Sequence, residues 1–138
     1  MLTLEQISEV NPSYIHLNIN GQQSSVKTNS ISSDDLKELY NDCVMEQNFY
    51  SRMSKELSKI IEQNFETLNK THCPSQVEID TAGNILDRIN LEIKQTQYIA
   101  KANENSGIIL VNDMARDSYY KYEKLRRQIL HAMKELYC

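Results

Sequence analysis

Few residues in this sequence have the types and spacing that catalysis requires. The nearest candidate is the pair His72-Cys73, because a thiol beside an imidazole can become a nucleophile. Such catalysis also needs a third group that orients the imidazole, and adjacent residues rarely reach that geometry. One His with one Cys is only half of a zinc site. We therefore expect an ordinary loop here, and no catalytic, cofactor-binding or metal-binding residues in the chain.

Paired carboxylates are the next candidates, for general acid–base chemistry. Asp34 and Asp35 open a helical pattern, and Glu62 and Glu66 stand four residues apart. Helix capping and a solvated helix face explain these pairs, because catalytic carboxylates usually lie in a desolvated cleft. The sequence also has no Gly-rich phosphate loop. These observations predict that the protein is not an enzyme.

One segment, RDSYYKYEKLRRQ at 116–128, mixes tyrosines with basic residues. Such a mixture suits contact with a protein partner, or with phosphates and bases. The candidate partner-binding residues are Tyr119, Tyr120, Lys121, Lys124, Arg126 and Arg127. The segment from Met114 onward carries six Lys or Arg against three Asp or Glu, whereas the whole chain has net charge −4. Because the chain is acidic overall, a nucleic-acid partner is the alternative, and pairing with the acidic first helix is the structural explanation.

Cysteine content and hydropathy bear on the compartment. Cys43, Cys73 and Cys138 are odd in number and widely spaced, which suits a reducing environment. The first ten residues lack the basic start and long apolar stretch of a signal peptide. No stretch approaches the roughly 20 apolar residues that a spanning helix needs. We expect a cytoplasmic protein without a membrane partner, in which exposed Cys138 would cross-link two chains on oxidation.

The elements that position these residues are predicted to be helices. The chain has only three Gly and two Pro, which favours long uninterrupted elements over a sandwich or barrel. The predicted fold is all-α: an elongated three-helix antiparallel bundle over 33–138 with coiled-coil-like packing. Residues 1–32 are expected to form a flexible or weakly structured arm. A short hairpin turning at Asn20-Gly21 is the alternative for this arm, although its return arm QQSSVKT is very polar.

The three helices are predicted at about 33–70, 76–105 and 112–137. Ser32 or Ser33 caps the first helix, and Ser75 with Glu78 forms a capping box for the second. In the first helix a polar layer or a bend is expected at residues 46–48. The predicted core stripe of the second helix follows three-four spacing: Ile79, Ala82, Leu86, Ile89, Ile93, Thr96, Ala100 and Asn103. The stripe of the third is Ala115, Ser118, Tyr122, Leu125, Ile129, Ala132 and Leu136.

The connection between the last two helices is predicted at SGIILVND, residues 106–113. Gly107 suits the left-handed conformation that ends a helix, and Asn112 or Asp113 suits the next cap. Its four apolar residues would then seal the end of the bundle. A short strand, or a helix that continues through Gly107, are the alternatives.

Together these patterns predict a non-enzymatic protein–protein interaction module, such as a helical adaptor, an assembly factor or a chaperone-like subunit. It would bind another protein, or oligomerise with its own copy, through helix faces. A nucleic-acid-associated regulator that uses the basic face of the last helix is the second hypothesis.

Overall fold

The computed structural model describes residues 2–137, and over this range it contains two long helices, one short helix and one three-stranded antiparallel sheet. The strands are β1 (Ile7–Val10), β2 (Tyr14–Ile19) and β3 (Gln22–Lys27). The helices are α1 (Ser33–Lys70), α2 (Gln76–Asp80) and α3 (Ile85–Tyr137). Short 3₁₀ turns occupy Leu4–Gln6 and Thr28–Ser30. The chain divides into two compact units, the first made of 2–52 and 115–137 and the second of 53–114.

The prediction of an all-α, three-helix bundle is wrong. Helix accounts for 75% of the structure, but 12% is strand, and only α1 and α3 are long helices in the described range. The predicted second and third helices, 76–105 and 112–137, are not separate elements. Residues 76–84 hold the short α2 and a turn. The 53-residue helix α3 then begins at Ile85.

The predicted corner at 106–113 lies inside α3. A glycine in a helix interior costs only about 1 kcal/mol relative to alanine, which packing on either side offsets. Asn105 and Asn112 flank Gly107, and both are buried and hydrogen-bonded to side chains of α1. These contacts hold both sides of Gly107 in one helical phase, so the helix continues through it.

The interpretation of the N-terminal segment as a flexible arm is also wrong, because residues 7–27 form the sheet, and the alternative, a hairpin turning at Asn20-Gly21, is present. Strands β2 and β3 pair as a hairpin whose turn residues Asn20 and Gly21 have φ of 51° and 83°. Positive φ at both central residues is the type I′ requirement, which the Asn-Gly dipeptide meets. The return strand is polar because it is a sheet edge in which only Val26 is partly buried. An edge strand that packs little apolar surface needs little apolar alternation.

A β-bulge lets β1 bury two residues that simple alternation would place on opposite faces. Its pairing with β2 shifts between Ile7 and Glu9, so Ile7 lies opposite Leu17 and Val10 opposite Ile15. All four side chains are buried, with Ile15 fully so. The extra residue in a bulge restores the inward direction after three steps instead of two. Val10 is further held by Gln128 of α3, whose Oε1 accepts from the Val10 N–H at 2.9 Å.

The core of the first unit lies between this sheet and segments of α1 and α3. The buried residues are Leu4, Ile7, Val10, Ile15, Leu17, Leu36, Leu39, Cys43, Leu125, Ile129 and Ala132. The predicted stripe of the last helix is confirmed, because Ala115, Leu125, Ile129 and Ala132 are buried. The expected polar layer in α1 is also present: Gln47 is buried and its Oε1 accepts from Arg126 Nε at 2.8 Å.

The second unit is an antiparallel pair formed by α1 from residue 53 and α3 up to residue 114. The face of α3 that packs on α1, which we call the inner seam, follows three-four spacing. Its residues are Leu91, Gln95, Tyr98, Ala102, Asn105, Ile109 and Asn112. The inner seam is partly polar: Asn64 Nδ2 donates to Asn105 Oδ1 at 3.2 Å, and Ser54 Oγ donates to Asn112 Oδ1 at 2.7 Å.

Two caps organise the connection between the long helices. Ser75 Oγ accepts from the Glu78 N–H at 3.1 Å, as the capping box predicts, but the helix it opens ends at Asp80. Asn84 then caps α3, because its Oδ1 accepts from the Asp87 N–H at 2.9 Å. The inner seam reaches this connection too, since Gln95 Nε2 donates to the carbonyl of Pro74 at 3.1 Å. None of the helices described over 2–137 is both long enough and apolar enough to cross a membrane.

Candidate interaction surface

The predicted partner-binding arginines are engaged inside the first unit. Besides donating to Gln47, Arg126 places its guanidinium carbon 6.0 Å from the centre of the Tyr40 ring. Arg127 pairs with Glu123 one turn earlier on α3, at 2.8 Å. Arg126 is half-buried, whereas Arg127 remains exposed despite its ion pair. Arg126 therefore has a structural role within the first unit.

Three of the other four predicted residues lie on one exposed face of α3. Tyr119 is half-buried, and its ring makes an edge-to-face contact with that of Tyr120 at 5.3 Å. Tyr120 and Lys124 are exposed and share a helix face at four-residue spacing. Lys121, three residues before Lys124, is exposed on the same face, and its amine lies 5.5 Å from the Tyr122 ring centre. Arg127 is three residues after Lys124, so this face carries three cations and Tyr120, while Tyr119 and Arg126 lie on the other side of the helix.

Cys43 lies in the core of the first unit and is fully buried. Burial raises the pKa of its thiol from 9.0 to about 12, and the Asp42 carboxylate acts in the same direction. Only a thiolate is a competent nucleophile or metal ligand, so Cys43 is inert at neutral pH. Cys138 lies outside the described residues, and its cross-linking remains a prediction.

Tyr122 is also a packing residue. Its ring stacks on that of Tyr50, with centroids 6.1 Å apart and planes 9° from parallel. Burial raises the pKa of Tyr122, and Glu46 and Tyr50 add to the effect. The neutral phenol is therefore the form that the first unit stabilises.

The loop pair His72-Cys73 has no arrangement for nucleophilic chemistry. His72 Nε2 lies 2.9 Å from a carboxylate oxygen of Glu78, and this hydrogen bond lowers the pKa of Glu78. The Cys73 thiol points to the carbonyl of Pro74 at 3.8 Å instead of to the imidazole. Within residues 2–137, no group of three or more His, Cys, Asp or Glu side chains is arranged to hold a metal ion.

Each unit has open cavities with volumes between about 340 and 390 Å³. A cavity of about 380 Å³ in the first unit is lined by the carboxylates of Glu5, Glu38, Asp42 and Glu46 beside Tyr122. A cavity of about 390 Å³ in the second unit has an apolar floor that includes Leu68, Pro74, Leu91 and Tyr98. Lys94 and Lys101 line the same cavity. Thr67, Thr71 and His72 also line it, but the hydroxyl of Thr67 donates to the Gln63 carbonyl at 3.0 Å and that of Thr71 to the Thr67 carbonyl at 2.7 Å, so neither hydroxyl donates to the imidazole.

The most distinctive surface of the second unit is the side of α3 that faces away from α1. Nine exposed positions there alternate steps of three and four residues, and we call them the outer stripe. They are Leu86, Ile89, Ile93, Thr96, Ala100, Asn103, Gly107, Leu110 and Met114. At 100° per residue these positions lie on roughly the opposite side of α3 from the inner seam. Its large apolar residues are well exposed, from 46% for Ile89 to 69% for Leu86.

Sequence reasoning found most of this stripe but placed it on the wrong side. The predicted core stripe of the second helix contains six of these nine residues, and the structure leaves Leu86, Ile89 and Ile93 exposed. The prediction failed because α3 carries two three-four patterns. The inner seam is the more polar of the two, with Asn105 and Asn112, yet it is the buried one. Hydropathy alone favours the outer stripe for the core.

The four-residue apolar run now has an explanation as part of a helix. Four consecutive residues project over about 300° of a helix circumference, so such a run is apolar on every side. Ile108 and Ile109 are half-buried, whereas Leu110 and Val111 are exposed at 62% and 41%. An additional covering surface is therefore needed to remove the outer half of this run from water.

Comparisons with protein-family models, with curated proteins and with solved structures found no significant match for this chain.

Proposed function

We propose that this chain is a non-enzymatic protein–protein interaction module that binds a helix of a partner along the outer stripe. The observation that carries the proposal is the exposure of all nine stripe positions, from Leu86 to Met114. Isolated exposed apolar side chains are ordinary, but apolar patches on a protein surface usually mark interaction sites, and the stripe has one at Leu86–Ile93 and one at Leu110–Met114. A helix whose apolar anchors recur at three-four spacing is the shape that a second helix complements.

The inner seam supports this assignment because it fixes the rotation of α3. Turning the outer stripe towards α1 would expose the buried side chains of Asn105 and Asn112 and would break their hydrogen bonds to α1. Loss of one partner of a buried hydrogen bond costs about 1–3 kcal/mol. The outer stripe is therefore kept available to a partner by the polar contacts on the opposite side.

Burial of the stripe by a partner helix would be favourable. Ile93 is 49% exposed, and full burial of such a side chain is worth about 1.5–3 kcal/mol, so covering its exposed half contributes about 1 kcal/mol. Leu86, Leu110 and Met114 have 61–69% of their surface exposed and contribute somewhat more each. A helical adaptor, an assembly factor or a chaperone-like subunit would use such a surface, and we place this protein in the cytoplasm on the basis of its cysteine content.

The experiment compares partner capture by the immobilised full chain and by two variants. Ile93→Glu places a charge in the N-terminal apolar end of the stripe, Leu86–Ile93, whereas Lys94→Glu changes the charge of a neighbouring position outside the stripe. We expect the wild type and Lys94→Glu to retain the same helical partner, another protein or this chain itself, and Ile93→Glu to lose it. Equal retention by all three chains would refute the assignment of the stripe, and absence of any complex with the wild type would refute the function.

Fewer contacts support the nucleic-acid hypothesis. Its cationic residues include Arg126, which the first unit uses internally, and Arg127, which pairs with Glu123. It remains a sequence-based prediction, checked by whether binding weakens steeply with salt and is lost when both arginines become Glu.

A further inference from the structure

We infer that the occupant of the outer stripe is the outer stripe of a second copy of this chain, aligned parallel and in register. This inference rests on the proposed function and names its partner. The first argument is the spacing. Steps of three and four alternate without interruption from Leu86 to Met114. Large apolar residues occupy five of the nine positions, at both ends of this four-heptad range. A straight helix drifts about 20° per heptad against such a repeat, so both ends stay on one contact face only where two helices supercoil around each other.

The order of side chains along the stripe favours pairing with itself. In a parallel, in-register pair each position meets its own copy, so the apolar ends, at Leu86–Ile93 and at Leu110–Met114, meet apolar ends. The centre holds small or polar residues, and Asn103 would lie opposite the Asn103 of the second copy. Asn103 falls at a d position of the repeat, where the two amides of an in-register pair can hydrogen-bond to each other, whereas a shifted register would bury each of them unpaired.

The charges beside the stripe permit this alignment. Glu92 and Glu104 stand next to the stripe and are exposed. In the parallel pair Glu92 faces Gln97 of the second copy, and Glu104 faces Ile99 of the second copy. Neither carboxylate meets another, so self-pairing has no like-charge contact at these positions. A surface of anionic lipid or nucleic acid would instead meet these carboxylates with repulsion.

The area of the stripe sets the expected strength. Its 29 residues, Leu86 to Met114, extend over about 42 Å at 1.5 Å per residue, and a helix with side chains is about 10 Å wide. Two such faces would bury about 840 Å² together, well below the ~1,200 Å² at which standard specific interfaces begin. We therefore expect a reversible dimer that dissociates in the micromolar range.

Sedimentation equilibrium of the full chain in reducing buffer, over concentrations from about 1 to 200 µM, tests the inference. We expect the mass to rise from monomer to dimer for the wild type and for Lys94→Glu. Ile93→Glu and Leu110→Glu should remain monomers at every concentration, with circular dichroism confirming unchanged helix content. A monomeric wild type at the highest concentration, or a dimer that persists in both stripe variants, would overturn the inference.

Orientation has its own test. In a Cys73→Ser, Cys138→Ser background, Ala100→Cys should form an intermolecular disulfide on mild oxidation, because equivalent core positions of a parallel pair lie within disulfide range. A dimer by mass without this cross-link would overturn the parallel alignment. If the wild type is monomeric but retains a different protein that Ile93→Glu does not retain, the self-pairing inference fails while the proposed function stands.

Discussion

Replacing the buried pair Asn64–Asn105 with two leucines is expected to stabilise the second unit, although it removes a hydrogen bond. Asn105 is 2% exposed and Asn64 is 7% exposed, and one bond of 3.2 Å joins them. No acceptor among the described residues receives the Asn105 Nδ2 hydrogens. The bond is worth about 1 kcal/mol net, whereas a buried unsatisfied amide costs about 1–3 kcal/mol. Two well-packed leucines add apolar burial, so the double variant should gain about 1–3 kcal/mol in free energy of unfolding.

The single variants separate the loss of the hydrogen bond from the gain of apolar burial. Asn105→Leu alone leaves the Asn64 amide without its partner beside an apolar side chain. Its free energy of unfolding is therefore expected to lie about 1–2 kcal/mol below that of the double variant. Urea unfolding followed by circular dichroism gives the four free energies of the double-mutant cycle, and amide exchange within residues 53–114 localises the effect. A double variant that is less stable than the wild type would show that the polar pair is a net stabiliser, and the reasoning would be refuted.

Three further predictions address the helix, the hairpin and the buried thiol. Gly107→Ala should raise the free energy of unfolding by about 0.5–1 kcal/mol, because a Cβ there meets open space within a helix; a loss of stability would instead favour a corner. Gly21→Ala should lower the free energy of unfolding by about 1–2 kcal/mol, because Gly21 has a φ of +83°. Gly83 has no positive φ, so Gly83→Ala serves as the control and should change the free energy of unfolding little. Burial raises the pKa of Cys43 from 9.0 to about 12, so its contribution to stability is fully present below pH 9 and is lost as the pH rises from 9 towards 12. Comparison of Cys43→Ala with the wild type across this range isolates the effect, and parallel pH profiles for the two chains would contradict it.

Local signals in this sequence predict where several elements begin. Ser32 caps α1, its Oγ accepting from the Asp35 N–H at 3.1 Å, and α1 spans Ser33–Lys70 where a helix over 33–70 was predicted. Capping depends on the few residues around a helix start, so single-sequence reasoning handles it well. The stripe of residues 115–136 was assigned correctly for a related reason, since its apolar positions have no competing pattern on the same segment.

Elements whose identity depends on tertiary contacts were harder to predict. The polar sequence of β3 gives little sign of a strand, because a strand at a sheet edge needs backbone hydrogen bonds more than apolar burial. Ser24 and Ser25 supply these backbone groups as well as apolar residues would. Gly107 resembles a helix end in sequence, and only the contacts of Asn105 and Asn112 with α1 show that the helix continues. The Gly83-Asn84 dipeptide is the genuine boundary signal, although it lies beside a regular apolar stripe.

The outer stripe also depends on tertiary contacts that the sequence pattern does not contain. Periodicity identified Leu86, Ile89 and Ile93 as residues that share a face, and this is what three-four spacing establishes. It does not establish what covers that face. The pairing of Asn105 with Asn64, which decides the rotation of α3, joins residues 41 positions apart and is not encoded in local spacing.

The hydrogen bond between the Val10 amide and Gln128 joins residues separated by 118 positions, and this separation governs when the sheet can be completed during synthesis. At about 5–20 residues per second, the ribosome needs about 6–24 s to add Gln128 after Val10. Residues 53–114 are contiguous, so their helical pair can form while the sheet still awaits its last helical cover. Ile7, Val10 and Ile15 therefore lack their α3 contacts during this interval, which favours aggregation of the nascent chain between the synthesis of Val10 and that of Gln128.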